Sequence, residues 1–300
     1  MIEMNPQIKN SIIIHYDICL ACNNRCSYCY KLKELDNTKF INDEIFEETI
    51  RAINLLKKQH PEYNITVVVL GGEPLMVIDK LIEFVERIYS NNIKIQIFSN
   101  MNFEPSSQPV QKIINFYKRF PNFELIISWH KNTNIERIKT NILQCQDFAI
   151  LSLLLSNDNL EDIYNDMLWI IENTTLSFGI ENIRDEYGIS TFNLFDDEKY
   201  IEITQKADKK DGVNILDNIL YNNVESKKLD FLNIAKKYYT ICQISRLSID
   251  WYGNIKAICD YPYRSNIKKG IKILDLYCNK YSCKCTTETY KKLIKVRNNV

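Results

Sequence analysis

The chain has 300 residues, enough for one large domain or one domain with a small appendage, and its 38 basic residues balance its 38 acidic ones. That balance argues against nucleic acid as a partner and against a charged disordered tail, and no run of roughly 18 apolar residues is present to span a membrane. The first ten residues are polar and lack the apolar stretch of a signal peptide, so the ten cysteines read as metal or redox chemistry in a reducing cytoplasm, not as disulfides.

In chain order, 11–18 is a short β-branched run and reads as a first strand. A loop follows it with Cys22, Cys26 and Cys29 in CxxxCxxC spacing and Tyr28 just before the last cysteine. Asn42 or Asp43 can cap a helix in which Ile45, Phe46, Ile50, Ile53 and Leu56 recur at helical spacing. The run 65–70 has the continuous Val/Ile/Leu character of a buried parallel strand, and Gly71-Gly72-Glu73-Pro74-Leu75 follows it. Beyond it the pattern predicts helix 77–89, strand 93–98, helix 107–118, strand 123–129, helix 134–144, strand 148–155, helix 159–172 and strand 175–182. Six strands alternating with five helices predict an α/β fold with a parallel sheet. Six units do not close an eight-stranded barrel, so a partial (βα)6, TIM-like barrel is expected over 1–184. Residues 185–240 read as a helical bridge, and 241–300 as a small Cys-rich domain with a hairpin turn at Tyr252-Gly253-Asn254.

Sites in such folds lie at the C-terminal ends of strands, and the candidate residues fall there. The three cysteines follow the first strand, Gly71, Gly72 and Glu73 the second, and Ser99 and Asn100 the third. Ser128 and His130 end the fourth strand, and Arg184 follows the sixth. Three thiolates hold only three corners of a four-iron cubane and leave one iron open, whereas Fe–S clusters are normally held by four cysteines. A zinc knuckle is the competing reading, though zinc sites usually show paired CxxC units. Adjacent glycines let a backbone approach a ligand closely, and Glu73 offers a charge-assisted contact to an ammonium. His130 offers a proton or a substrate contact, and Arg184 a carboxylate contact; a satisfied strand-end polar group and a surface ion pair are the plainer alternatives. Cys19 and Cys145 read as small buried thiols.

The CxxxCxxC loop with Tyr28, joined to Gly71-Gly72-Glu73-Pro74, resembles the radical S-adenosylmethionine (radical SAM) superfamily. The resemblance implies a (βα)6 core and a 4Fe-4S cluster on Cys22, Cys26 and Cys29 with SAM on its open iron. Tyr28 is then placed beside the cluster and adenine, and the Gly71–Glu73 segment on the SAM amino group. Ser99 and Asn100 resemble the ribose-contacting segment, and Ser128 joins the cofactor-binding set. Cys242, the hairpin, Cys259, and then Cys278, Cys283 and Cys285 resemble the SPASM or shorter twitch extension, which implies one further 4Fe-4S cluster. The spacing departs from SPASM, because five residues separate Gly253 from Cys259 and the later cysteines do not match its second set. A structural zinc ribbon is the alternative there.

The function implied is reductive cleavage of SAM to a 5′-deoxyadenosyl radical that abstracts hydrogen from a peptide or peptide-derived substrate. Oxidation or rearrangement of a small molecule, such as an amino sugar or nucleotide, is the second expectation. A non-catalytic Fe–S electron carrier is the third. The expected electron donor is a low-potential flavodoxin or ferredoxin.

Overall fold

The computed structural model describes residues 11–120, 123–130, 134–155, 160–182, 242–243, 246–257, 264–271 and 277–278. The alternating units form as the hydrophobic pattern dictates. Strands β1 (Ser11–Cys19), β2 (Asn64–Gly71), β3 (Ile93–Ser99), β4 (Phe123–Trp129), β5 (Ala149–Leu155) and β6 (Phe178–Asn182) lie side by side in that order, all parallel. Helices α1 (Asp43–Gln59), α2 (Ile78–Ile88), α3 (Gln108–Tyr117), α4 (Ile135–Gln144) and α5 (Leu160–Asn173) connect them. This is a partial TIM-like barrel.

Strands β3 and β4 alternate strictly between buried and more exposed residues, whereas β2 buries Val67, Val68 and Val69 in succession. On β1 one face buries Ile12, Ile14, Tyr16 and Ile18, while His15 and Asp17 face the other way. The Tyr16 ring meets Phe84 of α2 at 5.1 Å, and Phe84 meets Phe46 of α1 at 5.9 Å. Burying each such side chain is worth about 2 kcal/mol. Helix α1 starts where the sequence offers a cap: the Asn42 side chain accepts from the Ile45 N–H at 3.3 Å. Asp43 and Glu44 in its first turn and Lys57 and Lys58 in its last turn match the helix dipole.

Two boundaries differ from expectation. The predicted helix 77–89 is preceded by a 3-10 turn, Pro74–Val77, because Pro74 presets the first turn and the Glu73 side chain caps it. Strand β6 starts at 178, three residues late, because Thr174 bonds back to Ile170 O at 2.8 Å and takes the Leu176 N–H at 3.3 Å. The hairpin predicted around Tyr252–Asn254 is present, between β8 (Arg246–Ile249) and β9 (Asn254–Ala257). Gly253, at φ +80°, supplies its left-handed turn residue. The hairpin lies in the same sheet as the barrel: β8 pairs in parallel with the free edge of β1, and β10 (Arg264–Asn266) follows β9. A separate two-stranded sheet joins β7 (Cys242–Gln243) to β11 (Tyr277–Cys278) and sets Cys242 opposite Cys278. The bridge 185–240, Arg184, Cys259, Cys283 and Cys285 lie outside the described residues. No helix among the described residues is long and apolar enough to cross a membrane.

Candidate active site

The loop between β1 and α1 carries the three cysteines at the C-terminal edge of the sheet. Its two ends are tied together: Leu20 N and Ala21 N donate to Lys39 O at 2.9 and 3.2 Å, and Asp36 N to Leu20 O at 3.1 Å. Asn37 Oδ1 takes the Cys22 N–H at 3.2 Å and the Arg25 guanidinium at 2.9 Å. Cys22 and Cys26 are buried, and Cys29 is half-buried. Burial pushes the Cys22 thiol up to about 11, opposed by the Asn24 N–H that reaches its sulfur at 3.4 Å. Burial raises the Cys26 thiol as well. The apoprotein loop therefore favours thiols, and cluster assembly must displace those protons.

The Gly71–Leu75 loop abuts the first. Glu73 is 1 % exposed, and its carboxylate accepts from Leu75 N (3.0 Å), Ser99 Oγ (2.9 Å) and Asn100 N (2.7 Å). It thereby locks the loop after β2 to the loop after β3. Burial pushes its pKa up to about 7 against the pull of these donors. The glycines also have a different use from ligand approach. A Cβ on Gly72 would lie 2.1 Å from Ala21 O, and one on Gly71 2.4 Å from Cys19 O. The space beside the pair is filled by the entry of the cysteine loop itself, held by Gly72 N to Cys19 O and Glu73 N to Ala21 O, both 2.8 Å. Cys19 is a buried thiol, as expected, held at about 12 by burial and within 3.4 Å of Glu73 O. Cys145 is buried and raised in the same way.

A ladder of asparagines joins the cysteine loop to the segment after β3. Asn100 Nδ2 donates to Asn23 Oδ1 at 2.9 Å, Asn102 Nδ2 to Asn24 Oδ1 at 2.8 Å, and Asn23 Nδ2 to Asn102 O at 2.8 Å. Asn141 of α4, fully buried, clamps this segment from below through Met101 O and Phe103 O at 2.9 and 2.8 Å. Met101 is held at φ +47°, a left-handed conformation rare for a long side chain. Sequence reading found Asn100 but missed Asn23, Asn24, Asn102 and Asn141. Their one legible signal is the density of asparagines in two loops that the fold brings together.

His130, one residue past β4, reaches the loop. Its Nδ1 lies 2.8 Å from Tyr28 Oη and 3.7 Å from Cys26 Sγ, and its ring stacks on Tyr28. Burial pushes its pKa down to about 4, so the imidazole is neutral at pH 7. Ser128 stands in register with Ser152 on β5. Ser152 Oγ and Asn24 Nδ2 are buried without a hydrogen-bond partner among the described residues, which fits a ligand with polar groups. A cleft lined by Asn64, Thr66, Asn92, Lys94 and Glu124 lies instead at the N-terminal edge of β2 and β3, away from the cysteines.

Lys31 and Asp17 form an ion pair with side chains only 7 % and 13 % exposed. Burial, the largest single influence, pulls the Lys31 pKa down, but Asp17 and Tyr30 together outweigh it and the net shift is upward, so the ammonium persists. The pair pins the end of the cysteine loop to β1. Lys31→Met is expected to cost about 3–5 kcal/mol, because Asp17 is left buried and alone. Denaturation midpoints should show much of that loss recovered in Asp17→Asn/Lys31→Met.

Among the described residues no three His, Cys, Asp or Glu side chains converge closely enough to hold one metal ion. Three thiolates carried on one loop are the donor set of a four-iron cluster that keeps one iron open.

Comparisons with known proteins agree with this geometry. The 4Fe-4S single cluster domain family matches residues 16–148. No curated protein sequence matches the chain. Among solved structures, the fold is similar to Streptococcus suis SuiB bound to S-adenosylmethionine, with a TM-score of 0.56 at 14 % identity over 87 % of this chain. The chain spans 64 % of that protein. It is also similar to native anSMEcpe with bound AdoMet (TM-score 0.52, 15 % identity, 94 % of this chain and 83 % of that one). The same protein with AdoMet and the Cp18Cys peptide gives a TM-score of 0.52 at 14 % identity over 96 % and 84 % of the two chains. These likenesses bear out the partial-barrel fold, and the 4Fe-4S family match spans the cysteine loop and the Gly71–Leu75 loop.

Proposed function

We propose that this chain is a radical SAM enzyme that acts on a peptide or peptide-derived substrate. The observation that carries the reading is the placement of Cys22, Cys26 and Cys29 at the C-terminal end of β1, against the Gly71–Leu75 loop, in a partial (βα)6 barrel. These thiolates would hold a 4Fe-4S cluster, which when bound would supply the one-electron reduction that cleaves SAM. The protein's own part is to bind and orient. The backbone of Gly71, Gly72 and Glu73 would border the SAM amino group, and Ser99 and Asn100 the ribose. Tyr28 would flank the adenine, and the unpartnered Ser152 hydroxyl, in register with Ser128, would take a further polar group of the ligand. Glu73 acts mainly through the two loops it locks together.

Support for a peptide substrate comes from the fold shared with a protein whose structure holds a peptide beside AdoMet. Cys242 opposite Cys278 supports a second 4Fe-4S site with Cys259, Cys283 and Cys285 as the further candidates. A flavodoxin or ferredoxin would deliver the electron in a reducing cytoplasm.

Iron analysis after anaerobic reconstitution tests the ligand assignment. Two cubanes predict about eight irons per chain, falling to about four in Cys22→Ala/Cys26→Ala/Cys29→Ala. About four irons in the wild type, with zinc retained, would reassign the C-terminal cysteines.

A further inference from the structure

A place for the Tyr28 ring beside the adenine does not account for the hydrogen bond between Tyr28 and His130. The pair is built from two distant elements. Tyr28 comes from the cysteine loop and His130 from the end of β4, yet the Tyr28 hydroxyl and His130 Nδ1 are 2.8 Å apart. The rings are stacked, with centroids 5.9 Å apart and planes 15° apart. The third member is Cys26 Sγ, 3.7 Å from the same ring nitrogen. Such an arrangement is more specific than an aromatic packed beside a loop, for which any ring would serve.

We propose that Tyr28 and His130 are positioning residues that direct hydrogen bonds onto the Cys26 sulfur and thereby raise the reduction potential of the cluster held there. The inference rests on the reading of this loop as a three-thiolate cluster site.

The Tyr28 hydroxyl brings one hydrogen to this group, His130 Nδ1 brings a second only in the tautomer that carries it there, and a Cys26 thiolate brings none. If the hydroxyl donated to Nδ1, the sulfur would receive none. If Nδ1 carries hydrogen, it donates to the hydroxyl oxygen and toward the sulfur, and the hydroxyl hydrogen is released to the sulfur as well. An anionic sulfur favours the second arrangement, because a hydrogen bond to a charged acceptor is about twice as strong as one between neutral groups. Reduction adds one electron to the cluster and takes up no proton; the electron comes from a low-potential one-electron donor. The added charge spreads onto the sulfurs, so donors aimed at Cys26 bind the reduced form more strongly. Hydrogen bonds to sulfur are among the determinants of Fe–S potentials. Loss of the pair is expected to shift the reduction equilibrium about tenfold toward the oxidised cluster, which for a one-electron couple is about 59 mV.

The test is a redox titration of the reconstituted full-length protein, without SAM, with dithionite as reductant and EPR as the readout. The signal that Cys26→Ala abolishes identifies the relevant cluster. Tyr28→Phe keeps the ring and removes only the hydroxyl. His130→Leu removes the donor, whereas His130→Asn places an amide N–H near the position of Nδ1. The proposal expects lower potentials in Tyr28→Phe and His130→Leu, with His130→Asn closer to wild type. Unchanged potentials in fully loaded variants overturn it while leaving the cluster reading intact. So does iron loss in the variants with no shift in the remaining signal, because that is the mark of packing alone. A wild-type protein that yields no reduced four-iron signal overturns the cluster reading first, and this proposal with it.

Discussion

Alanine at position 72 is expected to destabilise the protein by about 4 kcal/mol, the upper range for a single substitution. Its Cβ would sit 2.1 Å from Ala21 O and 2.6 Å from Ala21 C. Both are backbone atoms, so no side-chain rotation relieves the overlap. The cysteine loop would have to move as a unit, and the hydrogen bonds from Gly72 N and Glu73 N would be lost with it. The variant should therefore retain little iron after reconstitution, besides unfolding at lower denaturant. Gly270 is the control. It has a positive φ of +78° with ψ 168°, but nothing lies within 4 Å of its added Cβ, so alanine there should cost about 1–3 kcal/mol of backbone strain without loss of iron. Equal midpoints and iron contents for Gly72→Ala and wild type would refute the close-packing argument.

Removing the Glu73 carboxylate should have the next largest effect. Glu73→Ala leaves Leu75 N, Ser99 Oγ and Asn100 N without their acceptor. At about 1–3 kcal/mol for each of the three buried unsatisfied groups, a loss of at least about 3 kcal/mol is expected. The same carboxyl gives a pH signature. Burial raises its pKa from 4.5 to about 7 in the folded protein. The folded state keeps its proton to higher pH than the unfolded chain does, so the stabilising contribution is complete below pH 4.5 and is lost as pH rises through about 7. Glu73→Gln does not titrate. The stability of wild type relative to Glu73→Gln should fall across that window, at up to about 1.4 kcal/mol per pH unit. A difference that is flat from pH 4.5 to 7, measured by denaturation, would show that the three donors hold the carboxylate charged throughout.

The repeating architecture was legible because each βα unit is encoded locally. Val67, Val68 and Val69 follow one another in the second strand, and α1 carries its own cap and dipole charges. Pairing between distant strands carries no such local signal. Nothing in residues 246–249 announces that they will lie beside β1 and not only beside β9. Within the site, residue type and strand-end position identified the cysteines, the glycine pair, Glu73, Ser99, Asn100 and His130. Their partners could not be read in the same way. The contact of Gly72 with Ala21, the Glu73 lock and the reach of His130 to Tyr28 depend on loops that meet only after folding. A GGEP segment reads as a ligand cradle in isolation, and the structure shows that its glycines first make room for another stretch of backbone.

The central claim is that this loop initiates radical chemistry on SAM. It is tested most directly by incubating the anaerobically reconstituted protein with SAM and dithionite and assaying 5′-deoxyadenosine by chromatography. The account predicts deoxyadenosine from the wild type and none from Cys26→Ala. Stable iron loading without any SAM cleavage would contradict it and favour an electron-carrying role for the clusters.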